Sequence, residues 1–118
     1  MNIVIVDDEP DILTGIEFLL NAVGQGYHVT GRAFNGKEGM ETVLEKHPDV
    51  VLTDIKMPIF DGIEMIRRLK EQGATAEFIL LSGYGEFAYA KKAMALGVRY
   101  YLMKPLDEEE MYSIIEKI

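Results

Sequence analysis

Short apolar runs rich in β-branched residues alternate five times with longer stretches in which apolar residues recur every three or four positions. The short runs predict strands at 3–6, 28–34, 50–53, 78–81 and 100–102. The longer stretches have the spacing of amphipathic helices. Strands that alternate with helices are typical of a parallel sheet with helices packed on its faces, so we predict the α/β class.

The apolar stripes of the helical stretches indicate which side of each helix packs on the sheet. The first helix carries Ile12, Ile16, Leu19 and Val23, the second Met40, Val43 and Leu44, and the third Ile63, Ile66 and Leu69. A fourth, Ala-rich helix is predicted from about 86 to 96, and a fifth from about 107 to the end with Met111, Ile114, Ile115 and Ile118.

Composition narrows the class of protein. A length of 118 residues with 48% hydrophobic residues predicts one domain, residues 1–118, with its own core. The absence of cysteine excludes disulfides and thiolate metal sites and fits a cytoplasmic location. No apolar stretch approaches the roughly 20 residues of a membrane helix. The net charge of -8, with scattered Lys and Arg, argues against direct binding of nucleic acid.

Chemically active residues follow four of the predicted strands. The first strand ends at Asp7 and Asp8, the third at Asp54, the fourth at Ser82, and the fifth runs on to Lys104. In an open parallel sheet, ligands bind at the carboxyl ends of the strands, beside the point where the strand order reverses. We therefore expect these five side chains to lie at one edge of the sheet.

Each residue alone has an ordinary explanation. Asp7 and Asp8 before a helix could serve as a cap and a dipole complement, and Asp54 as a turn residue. Ser82 before a glycine is typical of a turn, and Lys104 of a solvated surface. The conjunction favours a functional site, because the opposite ends of the strands show no comparable set.

Three carboxylates in one pocket require a counter-charge, and Mg²⁺ prefers carboxylate, carbonyl and water oxygens. We predict that Asp8 and Asp54 bind the cation directly and Asp7 directly or through water, with a loop carbonyl near Lys56 as a further ligand. Phosphoryl transfer needs a nucleophile and groups that neutralise the phosphoryl oxygens. Asp54 would be the nucleophile, and Lys104 and Ser82 would each contact a phosphoryl oxygen.

These residues resemble the receiver domains of two-component response regulators, and the resemblance covers essentially the whole chain. It rests on IVDDEP after the first strand, LTDIKMPIFDG around Asp54, LSGYGEFAYAKKAMALG after the fourth strand and YYLMKP at the fifth. The resemblance implies a flavodoxin-like, doubly wound, five-stranded parallel sheet of order 2-1-3-4-5 with five helices. It also implies phosphorylation of Asp54 by a sensor histidine kinase.

The resemblance further implies Mg²⁺ held by Asp7, Asp8, Asp54 and the backbone carbonyl of Lys56. A cis bond between Lys104 and Pro105 would direct the lysine into the pocket. In the family, the hydroxyl is coupled to an aromatic residue three positions before the lysine.

That aromatic position is Tyr101 here, although a tyrosine on an edge strand is also simply a good β-former. As a switch, Ser82 would move towards the phosphoryl group and Tyr101 would turn into the space that it leaves. The signal would then reach the face formed by the fourth helix, fifth strand and fifth helix. Serine replaces the more usual threonine at position 82. Lys56 and Tyr84 occupy variable positions that influence how fast the phosphoryl group is hydrolysed.

The segment GYGEFAYAKKA resembles receivers attached to AraC-type transcription factors. It implies a helix-turn-helix output domain, C-terminal to and outside this chain. A homodimer that forms upon phosphorylation is a separate expectation. Three alternatives stay open on the residues alone: an aspartyl phosphatase, a flavin or nucleotide binder, and an interaction domain independent of phosphorylation. A phosphatase of the haloacid dehalogenase type needs an aspartate where Lys56 stands, and no Gly-rich phosphate loop follows the first strand.

Overall fold

The computed structural model describes residues 1–23, 26–83 and 85–118. Strands and helices alternate along these ranges as β1 (Asn2–Val6), α1 (Pro10–Val23), β2 (His28–Ala33), α2 (Gly36–Lys46), β3 (Val50–Asp54), α3 (Gly62–Glu71), β4 (Glu77–Ser82), α4 (Phe87–Ala95), β5 (Tyr100–Met103) and α5 (Glu108–Lys117). The predicted elements are thus confirmed. Four strands extend further than predicted by one residue at one or both ends, whereas β2 ends one residue earlier, at Ala33.

The strands form one parallel sheet in the order β2-β1-β3-β4-β5, which confirms the predicted flavodoxin-like topology. The chain winds outward from β1 to β2 and then crosses over to β3 on the other side of β1. The strand order therefore reverses between β1 and β3. Asp7 follows β1 and Asp54 ends β3, so both lie at the crevice where sheets of this kind bind ligands.

Alternate residues of each central strand face two separate cores, as expected for a pleated strand. In β1, Val4 and Val6 contact the core covered by α2, α3 and α4, whereas Ile3 and Ile5 contact the core covered by α1 and α5. Because helices cover both faces, the central strands are apolar almost without interruption. No helix in the described ranges is long and apolar enough to cross a membrane.

The predicted packing stripe of α1 was wrong in part. Its buried residues are Leu13, Ile16 and Leu20. Of the predicted positions, Ile16 is fully buried, Ile12 and Leu19 pack against the same core while partly buried, and Val23 is 37% exposed. The helix carries apolar residues around most of its circumference, so two stripes fit the same spacing. Contact with the sheet selects between them, which the helical period alone does not do.

The starts of the helices differ in how they satisfy their free backbone N–H groups. Asn35, Asp61 and Asp107 precede α2, α3 and α5, and each side chain accepts a hydrogen bond from the backbone N–H three residues further on. Glu86 precedes α4, and its side chain makes no such capping bond. The start of α4 is therefore organised differently from the starts of α2, α3 and α5.

Candidate phosphoacceptor and metal site

A buried ion cluster lies at the carboxyl ends of β1, β3 and β5. The Nζ atom of Lys104 is 3.1 Å from Asp7 Oδ2 and 3.2 Å from Asp54 Oδ2. Asp7 is fully buried and Asp54 is only 6% exposed. The structure therefore brings three of the predicted site residues, from three distant segments of the chain, into one cluster.

Asp8 completes a group of acidic residues with the geometry of a cation site. One carboxylate oxygen each from Asp7, Asp8 and Asp54 lie within 4.8 Å of one another, and Asp8 is exposed to solvent. Although Lys104 is close to it, the buried Oδ2 atom of Asp7 accepts no hydrogen bond from the described residues. Such hard oxygen donors, one of them buried without a hydrogen-bond donor, fit a hard divalent cation.

Backbone amides hold both buried carboxylates in place. The N–H of Ile55 donates to Asp54 Oδ1 at 2.9 Å, and the N–H of Glu9 donates to Asp7 Oδ1 at 2.9 Å. Each amide belongs to a residue one or two positions further along the chain, so the local backbone itself sets the carboxylate orientation. The other oxygen of each carboxylate points towards Lys104.

Burial changes the protonation equilibria of the cluster. It raises the pKa of Asp54 from 3.8 to about 6, and the nearby charge of Asp7 contributes to the increase. Burial likewise raises the pKa of Asp7. Burial alone would lower the pKa of Lys104, but the carboxylates of Asp54 and Asp7 outweigh it and raise that pKa. One ammonium group faces two buried carboxylates, so the pocket favours a second positive charge.

Ser82 ends β4 and is connected to β5 rather than to the acidic residues. Its carbonyl accepts a hydrogen bond from the backbone N–H of Lys104 at 2.9 Å. Its Oγ atom is 3.5 Å from the thioether sulfur of Met103. A thioether is a weak acceptor, so a charged oxygen within reach would compete effectively for this hydroxyl.

Tyr101 is half-buried on the edge strand β5. Its hydroxyl donates to the carbonyl of Val98 at 2.7 Å, and burial raises the pKa of the Tyr101 phenol. A cavity of about 340 Å³ lies beside it, with Ser82, Glu86, Met94 and Met103 in its wall. The predicted switch residues Ser82 and Tyr101 therefore border the same empty space.

The remaining predicted residues lie around the cluster. The peptide bond between Lys104 and Pro105 is cis, which confirms that expectation. Lys56 is exposed in the loop after β3, with its ammonium group 5.5 Å from the centre of the Tyr89 ring. Its carbonyl as a metal ligand stays a prediction. Tyr84 lies outside the described residues.

Gly62, at the start of α3, is a site residue that was not predicted from the sequence. Its N–H donates to the carbonyl of Ile55 at 2.6 Å, and a Cβ atom at this position would overlap with the carbonyl oxygen of Asp54. The helix therefore packs directly on the backbone of Asp54. The Asp61-Gly62 pair after a short loop is the signal that could have indicated this close approach.

Comparison with known proteins agrees with this geometry. The chain is 42% identical over 116 residues to "Uncharacterized transcriptional regulatory protein YesN" of Bacillus subtilis, covering 98% of this chain but 32% of YesN. It is 36% identical over 117 residues to "Sporulation initiation phosphotransferase F" of the same organism, covering 98% of this chain and 90% of that protein. The chain thus spans about a third of the first relative and most of the second.

Among solved structures, the REC domain of AraT, a response regulator from Geobacillus stearothermophilus, superposes with a TM-score of 0.90. It is 33% identical, and the match covers 98% of this chain and 90% of that one. Residues 3–116 match the family described as the response regulator receiver domain. The chain therefore belongs to the response regulator receiver domain family, whose members are phosphoacceptor signalling modules rather than enzymes that turn over a metabolite.

Proposed function

We propose that residues 1–118 form a cytoplasmic receiver unit in which Asp54 accepts a phosphoryl group from a sensor histidine kinase in a Mg²⁺-dependent reaction. The observation that supports this most strongly is the position of Lys104, within 3.2 Å of carboxylate oxygens of both Asp7 and Asp54. An ammonium group beside a buried acceptor carboxylate can pair with the oxygens of an incoming phosphoryl group.

In the proposed reaction, a carboxylate oxygen of Asp54 attacks the phosphorus of a phosphohistidine. The new O–P bond forms as the N–P bond breaks, and the histidine nitrogen retains the electron pair. The Ile55 amide keeps the acceptor carboxylate in a fixed orientation for this in-line attack. Lys104 pairs with one phosphoryl oxygen, and the Ser82 hydroxyl donates to another.

Asp7, Asp8, Asp54 and the Lys56 carbonyl would hold Mg²⁺. When bound, Mg²⁺ supplies positive charge that stabilises the phosphoryl oxygens during transfer. The fit depends on the carboxylate oxygens of the three aspartates, which lie within 4.8 Å of one another.

Phosphorylation would act as a switch through Ser82 and Tyr101. The hydroxyl of Ser82 leaves the weak acceptor Met103 for the phosphoryl group, and Tyr101 turns into the adjacent cavity. The face formed by α4, β5 and α5 changes shape as a result. Pro105 lies in the connection between β5 and α5. A few kcal/mol of differential stabilisation is enough to reverse such a two-state population.

The output is proposed to be transcriptional, through a C-terminal helix-turn-helix domain outside this chain and a homodimer formed upon phosphorylation. This is supported by YesN, which is described as a transcriptional regulatory protein and is about three times as long as the matched region. With a net charge of -8, the domain itself is not expected to bind nucleic acid directly.

The test is to incubate the protein with Mg²⁺ and acetyl phosphate and to measure its intact mass. We expect one labile phosphoryl adduct, which Asp54→Asn abolishes and which EDTA prevents. Asp11→Asn is the matched control, because it removes one exposed aspartate from the start of α1, at the same edge of the sheet. An adduct that persists in Asp54→Asn, or sustained hydrolysis of a phosphate monoester, would contradict the proposal.

A further inference from the structure

The loop between β4 and α4 is closed by a reciprocal pair of hydrogen bonds between Gly83 and Glu86. The N–H of Gly83 donates to Glu86 Oε1 at 2.6 Å, and the N–H of Glu86 donates to the carbonyl of Gly83 at 3.3 Å. We refer to this pair of contacts as the Gly83–Glu86 clasp. Its first residue directly follows Ser82, so the clasp engages the peptide group next to the residue that carries the proposed switch hydroxyl.

The clasp is tight but incompletely satisfied. Glu86 Oε2 is buried and has no hydrogen-bond partner among the described residues, so burial removes its hydration without replacing it. At Gly83, a Cβ atom would lie 2.7 Å from Glu86 Oε1, which means that a glycine is needed for this approach. One backbone N–H therefore holds a carboxylate that would otherwise be better hydrated in solvent.

Glu86 also contributes to the wall of the cavity that borders Ser82 and Tyr101. The same side chain thus lies beside both elements of the proposed switch. The peptide between Ser82 and Gly83 links the hydroxyl-bearing residue directly to the Gly83 N–H that donates to Glu86. A shift of this peptide as Ser82 leaves Met103 for a group on Asp54 would draw the Gly83 N–H away from the Glu86 carboxylate.

We propose that Glu86 is a positioning residue that holds the β4–α4 loop in its unphosphorylated arrangement. A phosphoryl group on Asp54 and the Glu86 carboxylate act on the same short segment in opposite directions. Phosphorylation opens the clasp, and Glu86 then leaves the wall of the cavity into which Tyr101 turns. This inference rests on the proposed phosphorylation of Asp54 and adds to it the residue that opposes the switch.

A purely structural role makes a different prediction. In that case Glu86 only closes the first turn before α4, in the manner of a capping box, and its removal lowers stability without changing the response to a phosphoryl group. The two roles are separated by a ligand that acts on Asp54, combined with variants that open the clasp in independent ways.

The experiment measures binding of beryllium trifluoride, a non-covalent analogue of the phosphoryl group, to the ¹⁵N-labelled chain with Mg²⁺. Amide resonances of Ser82 and Gly83 report the bound state. We expect Glu86→Ala to lower the half-saturating concentration by about three- to tenfold, because the ligand no longer has to open the clasp. Glu86→Gln should shift it less, since the amide oxygen can still accept from Gly83.

Gly83→Ala opens the same clasp from the other side. Its methyl group displaces the carboxylate, so we expect a shift like that of Glu86→Ala, and no further shift in the double variant. Glu41→Ala is the matched control, because it removes one exposed glutamate from α2. It should leave the half-saturating concentration unchanged.

Three results would overturn the inference. The first is a Glu86→Ala protein of lower stability with an unchanged half-saturating concentration, which assigns Glu86 a structural role only. The second is an equal shift for Glu86→Gln and Glu86→Ala, which assigns the effect to charge rather than to the clasp. The third is full additivity of Glu86→Ala and Gly83→Ala. Failure of the proposed function is seen separately, as a wild-type chain that forms no adduct on Asp54.

Discussion

The interior of the sheet and its carboxyl edge both bury side chains, but burial has opposite energetic consequences in the two regions. Val51 and Leu80 are fully buried among other apolar residues, and their removal from water stabilises the fold. Asp7 and Asp54 are also buried, yet burial makes their charged forms less favourable and raises the pKa of Asp54 to about 6. Apolar burial in the core therefore supplies the free energy that offsets the cost of burying the carboxylates at the carboxyl edge.

The largest expected effect is in the interior. Leu80 is fully buried in β4 between α3, α4 and the central strands. Leu80→Ala should lower the free energy of unfolding by about 2–5 kcal/mol, because it removes apolar contacts and leaves a cavity. Urea denaturation monitored by circular dichroism measures the change.

Met94→Ala provides the surface counterpart, since Met94 is 63% exposed on α4. Its effect on stability should stay within about 0.5 kcal/mol. A Leu80→Ala protein as stable as Met94→Ala would contradict the view that the interior of the sheet is the source of stability.

At the carboxyl edge, removal of a buried charge should stabilise the protein. The folded chain binds a proton at Asp54 more tightly than the unfolded chain, so ionisation of Asp54 lowers stability as pH rises from about 4 to above 6. Asn does not ionise. Without divalent cations, Asp54→Asn should therefore be more stable than wild type by about 1–3 kcal/mol at pH 7.5 and nearly equal at pH 4.

Thermal or urea unfolding in EDTA across this pH range measures the difference. Asp11→Asn controls for the loss of one charge from an acidic chain, and addition of Mg²⁺ should reduce the advantage of Asp54→Asn. A destabilised Asp54→Asn protein at pH 7.5 would show that the pairing of Asp54 with Lys104 outweighs the cost of burial.

The smallest effect is expected in the loop between β3 and α3, at the carboxyl edge of the sheet. Ile59 has a φ of 76°, which is unfavourable for a β-branched residue, and its side chain is 68% exposed. Ile59→Gly should relieve this strain and lose little apolar burial, although glycine also increases the entropy of the unfolded chain. We expect a net gain of about 0.5–1 kcal/mol, measured by urea denaturation, whereas Ile59→Val should give no gain.

Much of the fold follows from local pattern. The five apolar runs and the helical spacing between them predict the alternating strands and helices. The family resemblance implies the strand order, and the structure confirms both. Asp7, Asp54 and Lys104 could be placed together because the carboxyl ends of parallel strands share one edge. The direction of the pKa shift of Asp54 follows from the same placement.

The features of the structure that the sequence did not predict depend on tertiary packing. The face that α1 buries was predicted only in part because several stripes satisfy the helical period. Leu13 and Leu20 are fully buried, whereas the predicted Leu19 is partly buried and Val23 is exposed. The contact between Gly83 and Glu86 depends on the path of a short loop, for which no periodic signal exists. Likewise, only the structure places Met103 as the partner of the Ser82 hydroxyl.

The contact between Gly62 and Asp54 has a consequence for engineering. Since α3 begins directly against the main chain of the acceptor residue, any side chain at position 62 would displace one of the two. Position 59, only three residues earlier, projects into solvent. A library that diversifies the β3–α3 loop to alter partner choice should therefore randomise its exposed residues. Position 62 should stay glycine, because α3 contacts the backbone of the acceptor residue there.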